Sequence, residues 1–241
     1  MRGMTRPRHI IHQTSVMAAL LDGVFDGETD VATLLDRGDF GLGTFDALDG
    51  EMVILDGMCH RLTADGAAHP VEGSARTPFA VVTRFVTHAR ASLTTAHDRA
   101  DVRAVIDGIL PSANYMYAVR VDGRFSSMRV RAVQAQAHPY PRLTDVTDDQ
   151  ATRELENVEG TVVGFRTPAF EHGISVPGYH AHFVSADRSS GGHILDYTLD
   201  CGEVRLCVGT DLHLELPRTE LFATADLDPD DLDEQVDRAE S

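Results

Sequence analysis

Gly178-Tyr179-His180-Ala181-His182-Phe183-Val184-Ser185, a short polar break, then Gly191-Gly192-His193-Ile194-Leu195-Asp196 read as the two arms of a β-hairpin running from Gly178 to Leu199. Alternate side chains of a strand share a face, so His180 and His182 point one way while Tyr179, Ala181 and Phe183 point the other. With Asp187-Arg188 at the tip, strict pairing sets His182 opposite His193, with Cβ atoms about 4.5–5.5 Å apart. A bulge that shifts the pairing by one residue turns His193 to the other face. Three imidazoles on one wall at these spacings can converge on one divalent cation. With no fourth protein ligand nearby in sequence, they leave the open position that a catalytic metal needs. The competing reading is a row of polar histidines on a wet sheet face, since the chain holds 12 histidines and chance groupings occur. Gly191 and Gly192 serve either as turn residues or as space beside a metal.

Outward from this hairpin, the pattern predicts a strand over Thr161–Thr167 and a loop from there to Pro177. Further strands are expected over Glu203–Val208 and Asp211–Leu216, the latter with Leu212, Leu214 and Leu216 on the core side. The acidic tail from Asp226 reads as disordered or, because Leu232 and Val236 sit four apart, as a short docked helix. Upstream, the Pro-bracketed stretch His138–Pro141 is the best boundary. It divides an N-terminal α/β part, 1–137, from a β-rich part, 138–241, that carries the histidines. Asp122-Gly123, between Tyr115–Val121 and Arg124–Val133, signals a second hairpin. One face of its second arm carries Arg129 and Arg131, either as solvated stems or reaching into an anion pocket. Helices are expected over Asp101–Leu110, over Asp30–Asp36 with Asp30 as cap, and over Ser15–Leu21 with Ser15 as cap. Glu51–Asp56 and Pro78–Val86 read as strands, and the glycine-rich stretch Gly38–Gly50 as an irregular loop. The class is α+β, with mixed and antiparallel sheets and few helices.

The 241 residues suffice for one large core or two small ones joined closely. A formal net charge of -17 repels nucleic acid and anionic membranes, and an anionic substrate would need local positive charge. Cys59, Cys201 and Cys207 are an odd, sparse set without a Cys-x-x-Cys motif, which points to a reducing compartment. Three arginines within Met1–Arg8 precede no long apolar stretch, so neither an export signal nor a membrane span is expected and the location reads as cytoplasmic.

Several blocks together resemble the alpha-acetolactate decarboxylase family: Gly38-Asp39-Phe40-Gly41-Leu42-Gly43-Thr44-Phe45, Leu48-Asp49-Gly50-Glu51, Thr77-Pro78-Phe79-Ala80-Val81-Val82, and the two histidine blocks quoted above. The resemblance runs from about Thr14 to the C-terminus. It implies a two-part α/β protein that dimerises, with Zn2+ held by His180, His182 and His193. It places Glu51 and Glu240 as active-site glutamates (Glu234 being the other candidate in the tail), Arg131 as the active-site arginine and Thr44 beside the substrate. The implied reaction converts 2-acetolactate to (R)-acetoin and CO2 through a metal-stabilised enediolate. A ligand triad alone does not fix a reaction class. The alternatives are therefore another three-histidine metalloenzyme, a dioxygenase or isomerase on a small hydroxy or keto acid, and a non-catalytic acidic binding module.

Overall fold

The computed structural model describes residues 9–147 and 150–240, so the arginines before residue 9 lie outside the described residues. The strands are β1 (Ile10–Thr14), β2 (Thr29–Asp30), β3 (Phe40–Thr44), β4 (Glu51–Leu55), β5 (Met58–Leu62), β6 (Ala68–Pro70), β7 (Arg76–Thr77), β8 (Ala80–Thr83), β9 (Ala89–Leu93), β10 (His97–Asp98), β11 (Met116–Ala132), β12 (Ala151–Thr167), β13 (Gly178–Ser185), β14 (Gly191–Gly209) and β15 (Asp211–Glu215). The helices are α1 (Met17–Leu21), α2 (Val31–Arg37), α3 (Arg99–Ile109), α4 (Leu143–Thr147), α5 (Glu220–Thr224) and α6 (Leu232–Glu240). This is the α+β class expected from the pattern, with mixed and antiparallel sheets and few helices.

One sheet runs β15-β1-β8-β3-β4-β5-β6, and the other runs β10-β14-β11-β12-β13 with β9 also on β14. In the second sheet β13 pairs back onto β14 through His182↔His193, Phe183↔Gly192 and Val184↔Gly191, so the path β14-β11-β12-β13 closes on itself. The sheets do not divide the chain at one point: β9, β10 and β11 join the second sheet, and β15 returns to the first.

Period-two alternation sorts the side chains into layers. On β4, Val53 and Leu55 enter the core between the sheets, with Leu42 of β3 and Val163, Phe165 and Val184 of the second sheet. Met52 and Ile54 turn outward beneath Val31 and Leu34 of α2. On the far side, Val102 and Ile106 of α3 cover Val119, Val121 and Ile194. The order is helix, sheet, sheet, helix, and the inner layer is capped at one end by the mutually packed α1, α4 and α6.

Five local readings need correction. Asp122-Gly123 is no turn: β11 passes straight through it because its two halves pair with β12 and β14 rather than with each other. Gly123 lies between Gly160 and Gly202, and a Cβ there would meet the Cys201 carbonyl at 2.5 Å. β14 is likewise continuous through Cys201 to Gly209, so the separate strand expected at Glu203–Val208 is its far half. Gly38–Gly50 contains a buried strand, β3, in which a Cβ on Gly43 would meet the Phe79 carbonyl at 2.3 Å; the glycines permit close strand packing. Ser15 does not cap α1: its φ is 62°, Val16 takes the cap position, and no side chain caps the helix. β15 is an edge strand: Leu214 packs partly against the inner core, but Leu212 on the same face is exposed, as is Leu216 beyond the strand's end. Asp30 does cap α2, its carboxylate accepting from the Thr33 amide at 2.8 Å.

Candidate active site

The alternation that builds the inner layer also builds the site. Glu51 shares its face with Val53 and Leu55, Thr44 with Leu42, and His180 and His182 with Val184, so all four face inward. His193 faces opposite to Ile194, which lies in the outer core. Arg131 sits opposite His193 across the β11–β14 ladder. The sharpest sequence expectation concerned the hairpin register, and His182 pairs directly with His193. A bulge does occur, but beyond the site: Val130 pairs Ile194 while Arg129 pairs Asp196, leaving Leu195 extra. The Leu195 carbonyl accepts a hydrogen bond from the Arg99 guanidinium. Gly191 and Gly192 are strand residues, not turn residues: a Cβ on Gly192 would meet the Arg131 carbonyl at 2.6 Å.

The three imidazole rings stand 5.1, 5.2 and 5.4 Å apart by centroid. Each offers a ring nitrogen within 4.8 Å of the others'. His182 Nδ1 lies 2.8 Å from the Met52 carbonyl, so it carries the proton and Nε2 is left with its lone pair. Nε2 of His182 and Nε2 of His193 are buried and have no hydrogen-bond partner. Burial, joined by the Arg131 and Arg99 charges, pushes His180 down to about 3. Burial holds His182 and His193 well below the usual imidazole range. Neutral, converging nitrogens with unused lone pairs are the donor set that a divalent cation requires, and the three residues fit one.

Two carboxyls flank this centre. Glu240 Oε2 is 3.5 Å from His180 Nε2 and 3.8 Å from His193 Nε2, while Glu51 Oε2 is 3.6 Å from His182 Nε2. Burial raises Glu51 to about 8, against the pull of Arg131 and with a further push from Glu240. Burial raises Glu240 to about 7, opposed by Arg131 and Arg99. Glu240 reaches the centre because α6 docks through buried Leu232, Val236 and Ala239, whereas Glu234 is exposed on the same helix. Arg131 is 4% exposed; its Nη2 donates to the Ala239 carbonyl, and its Nε and Nη1 have no partner. Thr44 Oγ1 donates to the Gly50 carbonyl at 2.9 Å.

Thr44, Glu51, Arg131, His180, His193 and Glu240 line a cavity whose remaining wall is largely apolar, from Met17, Leu20, Leu48, Phe79, Val133 and Leu143. Its polar groups therefore gather on one side and its apolar groups on the other. His172 stands apart, its Nδ1 2.6 Å from Asp233 Oδ1, and His213 is exposed on β15. The sequence reading missed Arg99, which lines a neighbouring pocket with His180 and acts on it by charge, and Gln150, which lines the cavity. Both come near the site only through tertiary packing.

Comparison with known proteins gives a single answer. Residues 11–229 match the family described as alpha-acetolactate decarboxylase. The chain is 43% identical to the alpha-acetolactate decarboxylase of Klebsiella aerogenes over 235 residues, covering 98% of this chain and 90% of that protein. It is 43% identical to that of Methanosarcina mazei over 231 residues, covering 96% of this chain and 80% of the relative. The crystal structure of alpha-acetolactate decarboxylase from Bacillus subtilis superposes with a TM-score of 0.94 at 40% identity, covering 96% of this chain and 99% of the other.

Proposed function

Because the chain belongs to the alpha-acetolactate decarboxylase family, we propose that it converts 2-acetolactate (2-hydroxy-2-methyl-3-oxobutanoate) to (R)-acetoin and CO2, with Zn2+ held by His180, His182 and His193. Membership makes it an enzyme of the lyase class, so the reading as a non-catalytic acidic module falls.

One observation carries the proposal: three imidazoles converge, with Nε2 of His182 and of His193 buried and unpaired, beside one buried arginine and two glutamates whose carboxyls burial pushes up. A bound divalent cation supplies Lewis acidity, lowering the energy of negative charge as it grows on the substrate oxygens. Arg131 binds the substrate carboxylate through its free N–H groups, since the guanidinium stays charged even when buried. Loss of CO2 leaves an electron pair beside the ketone, delocalised as an enediolate. The carbon must then take up a proton. Burial pushes Glu51 up to about 8 and Glu240 up to about 7, a shift toward the protonated form that suits a donor. Thr44, its own hydrogen engaged with Gly50, offers lone pairs to the cavity. The apolar wall excludes water and receives the methyl groups.

The test is acetoin formation from racemic acetolactate by purified protein, with and without a chelator. A fully metallated protein that forms no product above the spontaneous rate overturns the proposal. Stoichiometric zinc without oxygen uptake separates it from a dioxygenase. We further propose a homodimer, to be checked by sedimentation, and a cytoplasmic location in keeping with three free cysteines.

A further inference from the structure

We propose that Gln150 reads the tertiary hydroxyl of the substrate, accepting its hydrogen through the side-chain carbonyl. The inference rests on the decarboxylase reading and deepens it.

Placement comes first. On β12, Thr152 pairs with Arg131 and Ala151 with Ala132, so Gln150, two residues before Thr152, continues the face that carries Arg131 and stands opposite Val133. Arg131, Val133 and Gln150 all line the cavity. Gln150 Oε1 is buried and without a hydrogen-bond partner. A buried acceptor left unpaired is costly, so a ligand that brings a donor is favoured there.

Chemistry then selects the donor. At neutral pH acetolactate carries one hydrogen-bond donor, its 2-hydroxyl; the ketone and the carboxylate only accept. The free Nε and Nη1 of Arg131 match those acceptors. Among the described residues, two buried side-chain oxygens without partners line the cavity, Glu240 Oε2 and Gln150 Oε1. Glu240 Oε2 lies 3.5 and 3.8 Å from imidazole nitrogens and so belongs to the histidine centre. Of these two unpaired oxygens, Gln150 Oε1 is left for the hydroxyl, whereas Thr44 Oγ1 is already engaged with the Gly50 carbonyl. A carboxamide oxygen is also too weak a base to remove the proton, so the hydroxyl is oriented without being ionised. It is this hydroxyl that distinguishes acetolactate from a simple β-keto acid.

Two unreactive carboxylates probe the contact by calorimetry on metal-loaded protein: 2-hydroxy-2-methylpropanoate, which has the hydroxyl, and 2,2-dimethylpropanoate, in which a methyl replaces it. Gln150→Leu removes the acceptor at similar size, and the preference for the hydroxy acid should fall about tenfold, as expected for one neutral hydrogen bond. Metal content should be unchanged, and KM for acetolactate should rise while kcat changes little. Gln150→Glu keeps an oxygen at the same reach; it should weaken both acids by charge repulsion yet retain the preference. Wild-type preference persisting in Gln150→Leu, equal weakening of both acids in that variant, or loss of preference in Gln150→Glu overturns the assignment. Analogue binding needs no turnover, so a wild-type protein that prefers the hydroxy acid but makes no acetoin counts against the decarboxylase reading and not against Gln150.

Discussion

Glu171 is 5% exposed, its Oε2 has no hydrogen-bond partner, and burial raises its carboxyl to about 7. It precedes the loop that meets α6 through Gly173–Leu232 packing and the His172–Asp233 pair. Replacing it by Gln keeps the shape and removes the titration. Below pH 4.5, the ordinary value, folded and unfolded chains both hold the proton and Glu171 costs nothing through ionisation. As pH rises, the unfolded chain releases its proton first, so stability falls until the folded carboxyl also ionises near pH 7. With these two values the loss is about 0.8 kcal/mol at pH 5 and about 3.3 kcal/mol at pH 8. The difference of about 2.5 kcal/mol is trimmed to about 2 kcal/mol by residual solvent screening. For a chain of this size that corresponds to about 4–8 °C in Tm. The assay is the thermal midpoint of wild type and Glu171→Gln, both metal-loaded, at pH 5 and pH 8. The advantage of the variant should grow by that amount at the higher pH. An advantage equal at both pH values would refute the reasoning, because the carboxyl would then be ionising alike in the folded and unfolded chains.

His193→Ala should release the metal while far-ultraviolet circular dichroism stays native; elemental analysis finding a full complement of ion would remove His193 from the ligand set. Arg131→Ala should lower kcat/KM on the order of 10²–10³-fold with the metal still bound, since truncating a buried charged contact costs several kcal/mol; loss of the ion would contradict that division of roles. Leu232→Ala should cost about 2–4 kcal/mol of packing under α6, lowering turnover at unchanged metal content as Glu240 loses its hold, and unaltered turnover would separate α6 from catalysis. Gly43→Ala sets a Cβ 2.3 Å from the Phe79 carbonyl and should destabilise β3 by about 2 kcal/mol or more, read as a lowered Tm.

What the sequence made legible was whatever depends on local periodicity. His180 and His182 follow from alternation alone, and His193 from the length of the hairpin loop, so the histidine centre could be read before any tertiary structure was known. The cap at Asp30 and the apolar side of α3 are likewise local. The signals that misled were local ones overruled by strand neighbours. Asp122-Gly123 has turn chemistry, yet Asp122 is held within the sheet by Arg120, Arg205 and Thr161. Gly41 and Gly43 read as loop because glycine's lack of a Cβ serves close strand packing as well as turns. The remaining site residues were illegible for a different reason. Glu51, Arg131 and Glu240 came from family resemblance, and no spacing relates a residue on β4, one on β11 and one at the end of α6. Gln150 and Arg99 carried no sequence signal, because each is brought to the centre by the partner strand or helix beside it.

The site also resolves a conflict posed by composition. A chain of net charge -17 repels an anionic substrate at a distance. Within the cavity the balance reverses. Burial keeps the three imidazoles neutral, and it raises Glu51 to about 8 and Glu240 to about 7, so both carboxyls resist ionisation near neutral pH. Arg131 keeps its charge, with Arg99 close enough to act on His180 and Glu240. The same desolvation that makes the glutamates poor anions makes the arginine the dominant local charge, and a cation held by the three histidines would add to it. Screening by salt weakens the long-range repulsion from the surface but barely touches a buried pair. Moderate salt should therefore raise the association rate for acetolactate and leave its bound lifetime nearly unchanged. A stopped-flow series in which salt mainly shortened the lifetime would mean that exposed surface charges, and not the buried arginine, hold the carboxylate.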